Sequence, residues 1–364
     1  MNVVVARAPG RINLIGEHTD YNQGFAMPIA LEERTTVRFE PDGSDVITVG
    51  STQEVGRSTF ALQAQPGEVE GWAAYPAGVV WALQAAGHPV VGGVMSVTSD
   101  VPIGAGLSSS AALECAVLLA INAATGTNLE LLEVARIAQH GENDFVGAPT
   151  GSMDQLASLH GEVDRALLID FEDSSVTPVV FDLASHGLTL LVVDSNAAHR
   201  HSTGEYASRR ESCTRAATAL GVDSLRRVQG NDDAALLERI DDEVDRRRVR
   251  HILSENQRVL DCAKALRAKG FRKVGELMTQ SHASMRDDFE ITTAHVDLIA
   301  DSAVRHGALG ARMTGGGFGG CVIAIVPAED VDAIAGAIEH DITRGGFPAP
   351  TVFTARAGAG ASWS

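Results

Sequence analysis

The stretch Pro102–Ala112, PIGAGLSSSAA, places two glycines and then three serines directly ahead of a strongly apolar helical pattern. Leu113, Ala116, Val117, Ala120, Ile121 and Ala124 recur at helical spacing, so the helix they form is buried on at least one face. A glycine-rich turn feeding a helix N-terminus suits an anion, because unpaired N–H groups and the helix dipole point the same way. A tight turn before a core helix carries the same local signature, so the surrounding chain has to decide between the two.

Composition narrows the choice. A formal charge of −18 argues against nucleic acid and anionic membrane surfaces as partners. Phosphate remains a possible ligand, provided helix N-termini, selected arginines or a metal ion supply the positive charge. The lysines are Lys264, Lys269 and Lys273, and none follows a glycine-rich loop, so a GxxxxGK(S/T) phosphate loop is absent. Cys115, Cys213, Cys262 and Cys321 sit far apart within apolar patterns, as structural thiols of a reducing compartment do. MNVVVARAPG is too short and too soon broken to read as a signal peptide, and no apolar run spans a membrane, so a cytoplasmic location is expected.

In chain order, Val3–Ala8 reads as a buried strand ended by Pro9-Gly10. The next stretch, GRINLIGEHTDYNQG from Gly10 to Gly24, crowds Arg11, Glu17, His18 and Asp20 among glycines with no helical period, as either a loop lining a cleft or a solvated turn with incidental charges does. Thr35–Phe39, Val46–Val49 and Thr59–Leu62 read as antiparallel strands, Trp72–Ala86 as a helix and Val94–Thr98 as a strand. From Glu130 the stripe Leu131, Val134, Ala135, Ala138 continues to Glu142, either a carboxylate on an inward face that needs a partner or a metal, or an exposed glutamate at a helix end frayed by Gly141. Asp154 falls in the first turn of a short helix ending at Gly161, where the dipole favours its ionised form. The apolar run Leu188–Val193 is a strand buried on both faces, and it opens a second domain. Two domains, 1–187 and 188–364, are therefore expected, as the chain length also suggests. Tyr206 lies on a helical stripe with Cys213 and Ala217, and residues 231–250, dense in Asp and Arg, read as a solvated helical face. Near the C-terminus, GARMTGGGFGGCVIAIV (Gly310–Val326) is a second glycine-rich loop running into a strand. Two such loops beside core elements suggest close backbone approach to a ligand from both sides of a cleft.

Taken together, these segments resemble the galactokinases of the GHMP family of small-molecule kinases. GRINLIGEHTDYNQG is similar to the galactokinase signature, PIGAGLSSSAA to the family's phosphate-binding motif and MTGGGFGGCVIAIV to its third motif. GSMDQ, GEYASRRESC (Gly204–Cys213) and SHASMRDDFEIT (Ser281–Thr292) match as well, so the likeness runs in order along nearly the whole chain. It implies an α+β, two-domain GHMP kinase fold with the active site in the interdomain cleft. One departure stands out: the family often has a cysteine before the glycine of its MDQ segment, where this chain reads Pro149-Thr150-Gly151-Ser152.

The resemblance also implies roles. Asp154 would be the base facing the anomeric hydroxyl of galactose, with Arg11 pairing it and offsetting transition-state charge. Glu17, His18, Thr19, Asp20, Gly151 and Tyr206 would line the sugar pocket. Gly104, Ala105, Gly106, Leu107, Ser108, Ser109 and Ser110 would wrap the phosphates of ATP, with Ser51 and Trp72 beside the adenine. Ser110 and Glu142 would hold Mg²⁺, a donor pair that suits an ion keeping several waters. The implied reaction is ATP-dependent phosphorylation of α-D-galactose to galactose 1-phosphate, the opening step of galactose catabolism, by a monomer. Rival readings are a sister kinase for N-acetylgalactosamine or arabinose, and a non-catalytic galactose sensor. The complete GLSSSAA loop and the presence of Asp154 favour an enzyme over a sensor.

Overall fold

The computed structural model describes residues 2–102, 104, 106–197, 202–231 and 233–364. Among the described residues, three sheets carry the chain. The first has six strands in the spatial order Ser362–Trp363, Val4–Asn13, Pro28–Pro41, Gly93–Ser99, Val46–Ser51 and Arg57–Ala61. Val46–Ser51 is antiparallel to Arg57–Ala61 but parallel to Gly93–Ser99, a mixed pairing that the alternating sequence pattern does not distinguish. The first strand does not end at Pro9-Gly10. It continues to Asn13, with the register shifting between Pro9 and Arg11. Such a bulge absorbs the missing proline N–H and re-aims the side chain that follows, which is Arg11.

Against this sheet lies the helix Ser109–Thr125, buried along most of its length from Ala111 to Asn122 and closed by Gly126 in the left-handed region at φ 69°. Ala, Leu, Val and Ile on nearly every side explain the burial, since this helix packs on strands and on other helices at once. The helix Ala74–Ala85 starts after a single tight turn, Gly71–Ala73, that holds Trp72. It approaches the end of Leu131–His140 backbone to backbone, where that helix opens into one wider π-type turn, Gly141–Val146. That turn carries Glu142 inward, one of the two readings its stripe allows. The helix Met153–His160 follows, with Asp154 in its first turn. A three-stranded sheet, Phe25–Ala26, Arg165–Asp170 and Ser175–Val180, flanks this region.

The remaining sheet is antiparallel throughout: Gly310–Thr314, Cys321–Pro327, Leu188–Asp194, Thr351–Ala355. Leu188–Asp194 is an interior strand, with Leu190 to Val193 wholly buried, as its continuous apolar run demands. Helices Ser202–Leu220, Glu243–Arg267, Phe271–Ser284, Ala294–Arg305 and Val331–Arg344 accompany it. Residues 231–250 are not a solvated face throughout. Asp245 and Arg248 are buried: Asp245 accepts from Arg215 at 2.8 Å, and Arg248 donates to Glu290 at 2.6 Å. Charge density was a poor guide there because each of the two ions meets its partner from another helix or turn. The four cysteines are free thiols, all buried. The last strand returns to the first sheet, pairing Trp363 with Ala6.

The Gly78–Gly141 contact joins the fold to the site, since a Cβ on Gly78 would lie 2.9 Å from the Gly141 carbonyl oxygen. Gly78→Ala is expected to cost about 1–3 kcal/mol through overpacking and to lower the thermal melting temperature; an unchanged melt would show that the two backbones separate freely.

Candidate active site

A cleft of about 440 Å³ opens where the first strand, the Gly104–Ser110 loop, the helix Met153–His160 and the turn Gly315–Gly317 converge. On its wall Arg11 grips Asp154 in a two-pronged pair, Nε to Oδ1 at 2.7 Å and Nη2 to Oδ2 at 2.8 Å. The remaining arm, Nη1, donates to the Gly106 carbonyl at 2.7 Å. Burial alone would lower the Arg11 pKa, but the charge of Asp154 outweighs it and the guanidinium is held above its ordinary value. Ser108 donates to Asp154 Oδ2 from a left-handed backbone conformation, φ 58°. A non-glycine residue held there is strained, which is common where a loop serves a ligand. Ser108 thus faces Asp154 as well as lying in the serine-rich loop, a dual position that its sequence context does not reveal.

The residues of the Gly10–Gly24 loop are set differently from one another. Asp20 faces the cleft beside Gly151, whose bare Cα is required because a Cβ there would lie 1.8 Å from Asp20 Oδ2. Burial, and then the nearby charges of Asp154 and Glu17, push Asp20 up to about 6. Glu17 lines the same cleft, yet its Oε1 accepts from the Gly315 amide at 2.9 Å and stands 3.5 Å from the Arg312 guanidinium. His18 donates from Nε2 to the Gly316 carbonyl (3.1 Å), so its Nδ1 accepts from the Tyr21 hydroxyl (2.7 Å). Burial pushes His18 down to about 3, and the ring is neutral. Tyr206 lies against the His18 ring, centroids 4.8 Å apart, and lines the cleft. Thr19 does not reach it. Its hydroxyl is fully buried and bonds the Gly16 and Phe25 carbonyls, which places it beneath the loop as a tie.

Across the cleft, Gly104, Gly106, Leu107, Ser108, Ser109 and Ser110 form one rim, while Ala105 lies outside the described residues. Leu107 turns its side chain into the core, and its carbonyl accepts from the Arg11 amide at 3.0 Å. A second cavity of about 220 Å³ shares Ser109 and Ser110 with the first and is lined by Ser51 and Trp72, together with Gln53 and Tyr75. Gln53 and Tyr75 had no signal in the sequence. Between the cavities Ser110 donates to Glu142 Oε1 at 3.1 Å. Glu142 Oε2 accepts from Thr150 at 2.8 Å and from Gln155 at 2.9 Å, so the residue at which the chain departs from the family pattern holds this carboxylate. Gln155 also donates to Glu114 at 3.3 Å, and burial, then Glu142, push that fully buried carboxyl well above the usual range.

The geometry is that of a polar cleft joined to a smaller pocket along a serine-rich loop, with one arginine-held carboxylate at the junction. Three family models match the chain: the galactokinase galactose-binding signature over residues 2–41, the GHMP kinases N terminal domain over 74–162 and the GHMP kinases C terminal domain over 262–341. The chain is 58% identical to a galactokinase of Mycobacterium bovis, covering 98% of both chains. It is 46% identical to a galactokinase of Streptomyces coelicolor, over 97% of this chain and 92% of the other. Among solved structures, Lactococcus lactis galactokinase complexed with galactose superposes with a TM-score of 0.94 at 32% identity, over 99% of this chain and 95% of that one. The signature match contains the whole Gly10–Gly24 loop, and the N-terminal domain match contains the serine-rich loop, Glu142 and Asp154. The chain belongs to the galactokinases, a branch of the GHMP kinase family.

Proposed function

We infer that this protein transfers the γ-phosphoryl group of ATP to the anomeric hydroxyl of α-D-galactose, giving galactose 1-phosphate and ADP. The observation that carries the reading is the Asp154 carboxylate, forked by Arg11 at the junction of the sugar-facing cleft and the phosphate loop. In the proposed mechanism Asp154 accepts the C1 hydroxyl proton as the C1 oxygen bonds the γ-phosphorus and the bond to the β–γ bridging oxygen breaks. Arg11 orients the carboxylate and offsets charge that builds on the phosphoryl group. A loose transition state asks mainly for such positioning and neutralisation.

Asp20 accepts hydrogen bonds from paired sugar hydroxyls, with Glu17, His18, Gly151 and Tyr206 shaping the rest of the pocket and Thr19 holding the loop from below. A misplaced hydroxyl would leave such buried groups unpaired, which is a strong basis for rejection. Gly104 to Ser110 wrap the phosphates with backbone N–H groups, and Ser51 and Trp72 border the adenine. Ser110 and Glu142 suit Mg²⁺. They are hard oxygen donors 3.1 Å apart with a single carboxylate, which leaves room for waters and phosphate oxygens. Bound there, the ion would neutralise charge on the β- and γ-phosphates. A monomer is the proposed working unit. The lobes divide, in this reading, near Gly187, with the final strand returning to the first lobe. Among the described residues no helix is long and apolar enough to cross a membrane; a cytoplasmic location is proposed.

Initial rates of ADP release across a sugar panel test the substrate. Galactose is expected to give the highest kcat/KM, and a higher value for N-acetylgalactosamine or arabinose would reassign it. Asp154→Asn should cut kcat by about 10³-fold or more, as loss of a general base does, while galactose still binds; retention of most of the wild-type kcat would remove Asp154 from its role. Asp20 supplies a pH test. Its ordinary value is 3.8 and burial raises it to about 6, so ionising it in the folded protein is disfavoured. Between about pH 4 and 6 its contribution to stability therefore falls as pH rises, whereas kcat/KM for galactose rises as the acceptor forms. A kcat/KM profile flat from pH 5 to 7 would contradict this.

A further inference from the structure

We propose that His251, Glu255 and Asn256, on the second-lobe helix Glu243–Arg267, position the sugar loop and so set galactose affinity without touching the sugar. The proposal rests on the reading of Glu17, His18 and Asp20 as the sugar-facing residues. The three positioning residues are fully buried and lie at i, i+4 and i+5, on one face of the helix. Each spends a hydrogen bond on the main chain of the loop rather than on its own helix. Glu255 Oε1 accepts from the Gly16 amide at 2.9 Å, His251 Nε2 donates to the Glu17 carbonyl at 3.2 Å, and Asn256 Oδ1 accepts from the Phe25 amide at 3.0 Å. The loop is thereby pinned at both ends, with His18, Thr19 and Asp20 between the pins.

Each of the three is itself held. Glu255 accepts from Ser281 (2.6 Å) and from Arg258 (2.6 Å), and Arg312 stands 4.0 Å away, between it and Glu17. Burial would raise the Glu255 carboxyl, but Arg258 and Arg312 outweigh it and hold the group at about 2, so it is a fixed anion. Asn256 donates its amide to Gln229 at 3.2 Å, which aims Oδ1 at the loop. Burial pushes His251 down to about 4, and its neutral ring packs on Phe289 with centroids 4.5 Å apart. Gly24 shows how tightly the loop is seated, since a Cβ there would lie 2.2 Å from Asn256 Oδ1. Apolar residues would fill the same space more cheaply; buried polar groups are tolerated here because the loop backbone satisfies them.

The test is steady-state kinetics of purified Asn256→Ala, Asn256→Asp and Asp20→Asn, with KM measured separately for galactose and for ATP. Asn256→Ala should raise the galactose KM on the order of tenfold, as loss of a buried hydrogen bond does, and leave the ATP KM within about twofold. Asn256→Asp keeps both the volume and the acceptor for the Phe25 amide and should recover most of that loss. Asn256→Leu, assayed alongside, keeps the volume without an acceptor and should not; recovery in Asn256→Leu would assign the effect to packing and overturn the proposal. If Asn256→Ala fails to fold, His251→Phe keeps the ring and removes the donor to Glu17, and its two KM values are read in the same way. An unchanged galactose KM in the folded variant, alongside a raised one in Asp20→Asn, overturns the proposal. An unchanged galactose KM in Asp20→Asn shows that the sugar reading of the loop has failed, and the proposal falls with it for that separate reason.

Discussion

The Arg11–Asp154 pair is the contact on which the site depends. It ties the first strand to the helix Met153–His160, and its third arm reaches the carbonyl of Gly106 in the phosphate loop. Three segments are thus fixed against one guanidinium. A planar, permanently charged fork suits this task, and an ammonium in its place, though it has three donors, lacks the coplanar pair that meets both carboxylate oxygens face on. Removing one member of such a buried pair typically costs about 3–5 kcal/mol, because the other charge is left uncompensated. Positive charge is scarce around it. The chain has no lysine before Lys264, and the cleft gathers Glu17, Asp20 and Asp154 on its walls.

That scarcity shapes the chemistry. Acidic walls suit a neutral polyol, whose hydroxyls donate to carboxylates, and in the proposed mechanism polyphosphate is left to N–H groups and to an ion at Ser110 and Glu142. The strained Ser108 stands where the two halves meet, in the phosphate loop by sequence and on the base by its hydrogen bond. Glu17 and His18 also work across a boundary, since both bond to the third glycine-rich turn at Gly315 and Gly316. The glycines of that turn therefore have a visible purpose: side chains of the first strand's loop meet backbone atoms of the C-terminal hairpin there.

Much of this was legible in the residues. The apolar period after Ser110 announced the buried helix, the stripe from Leu131 left Glu142 either inward or at a frayed end and the structure turns it inward, and the position of Asp154 in a helix's first turn followed from local pattern. Long-range pairing was not legible. Arg11 and Asp154 are 143 residues apart, and only the family resemblance paired them, since nothing in either neighbourhood names the other. His251, Glu255 and Asn256 look like ordinary polar positions of an amphipathic helix until the loop is seen on them. Asp245 and Arg248 misled in the opposite direction, because charge in a sequence reports composition and says nothing of a partner arriving from another element. Pro9 misled as well. A proline and a glycine usually end a strand, but here a bulge carries the strand past them and turns Arg11 into the cleft.

The central claim is that Asp154, held by Arg11, faces the anomeric hydroxyl of galactose while the phosphate loop presents ATP. A crystal structure with galactose and a non-hydrolysable ATP analogue tests it most directly. The account predicts the C1 oxygen within hydrogen-bond reach of the Asp154 carboxylate, Asp20 on other ring hydroxyls, and the γ-phosphate between the C1 oxygen and Ser108–Ser110. A sugar bound with a different hydroxyl against Asp154, or with Asp154 turned away from the sugar altogether, would contradict it.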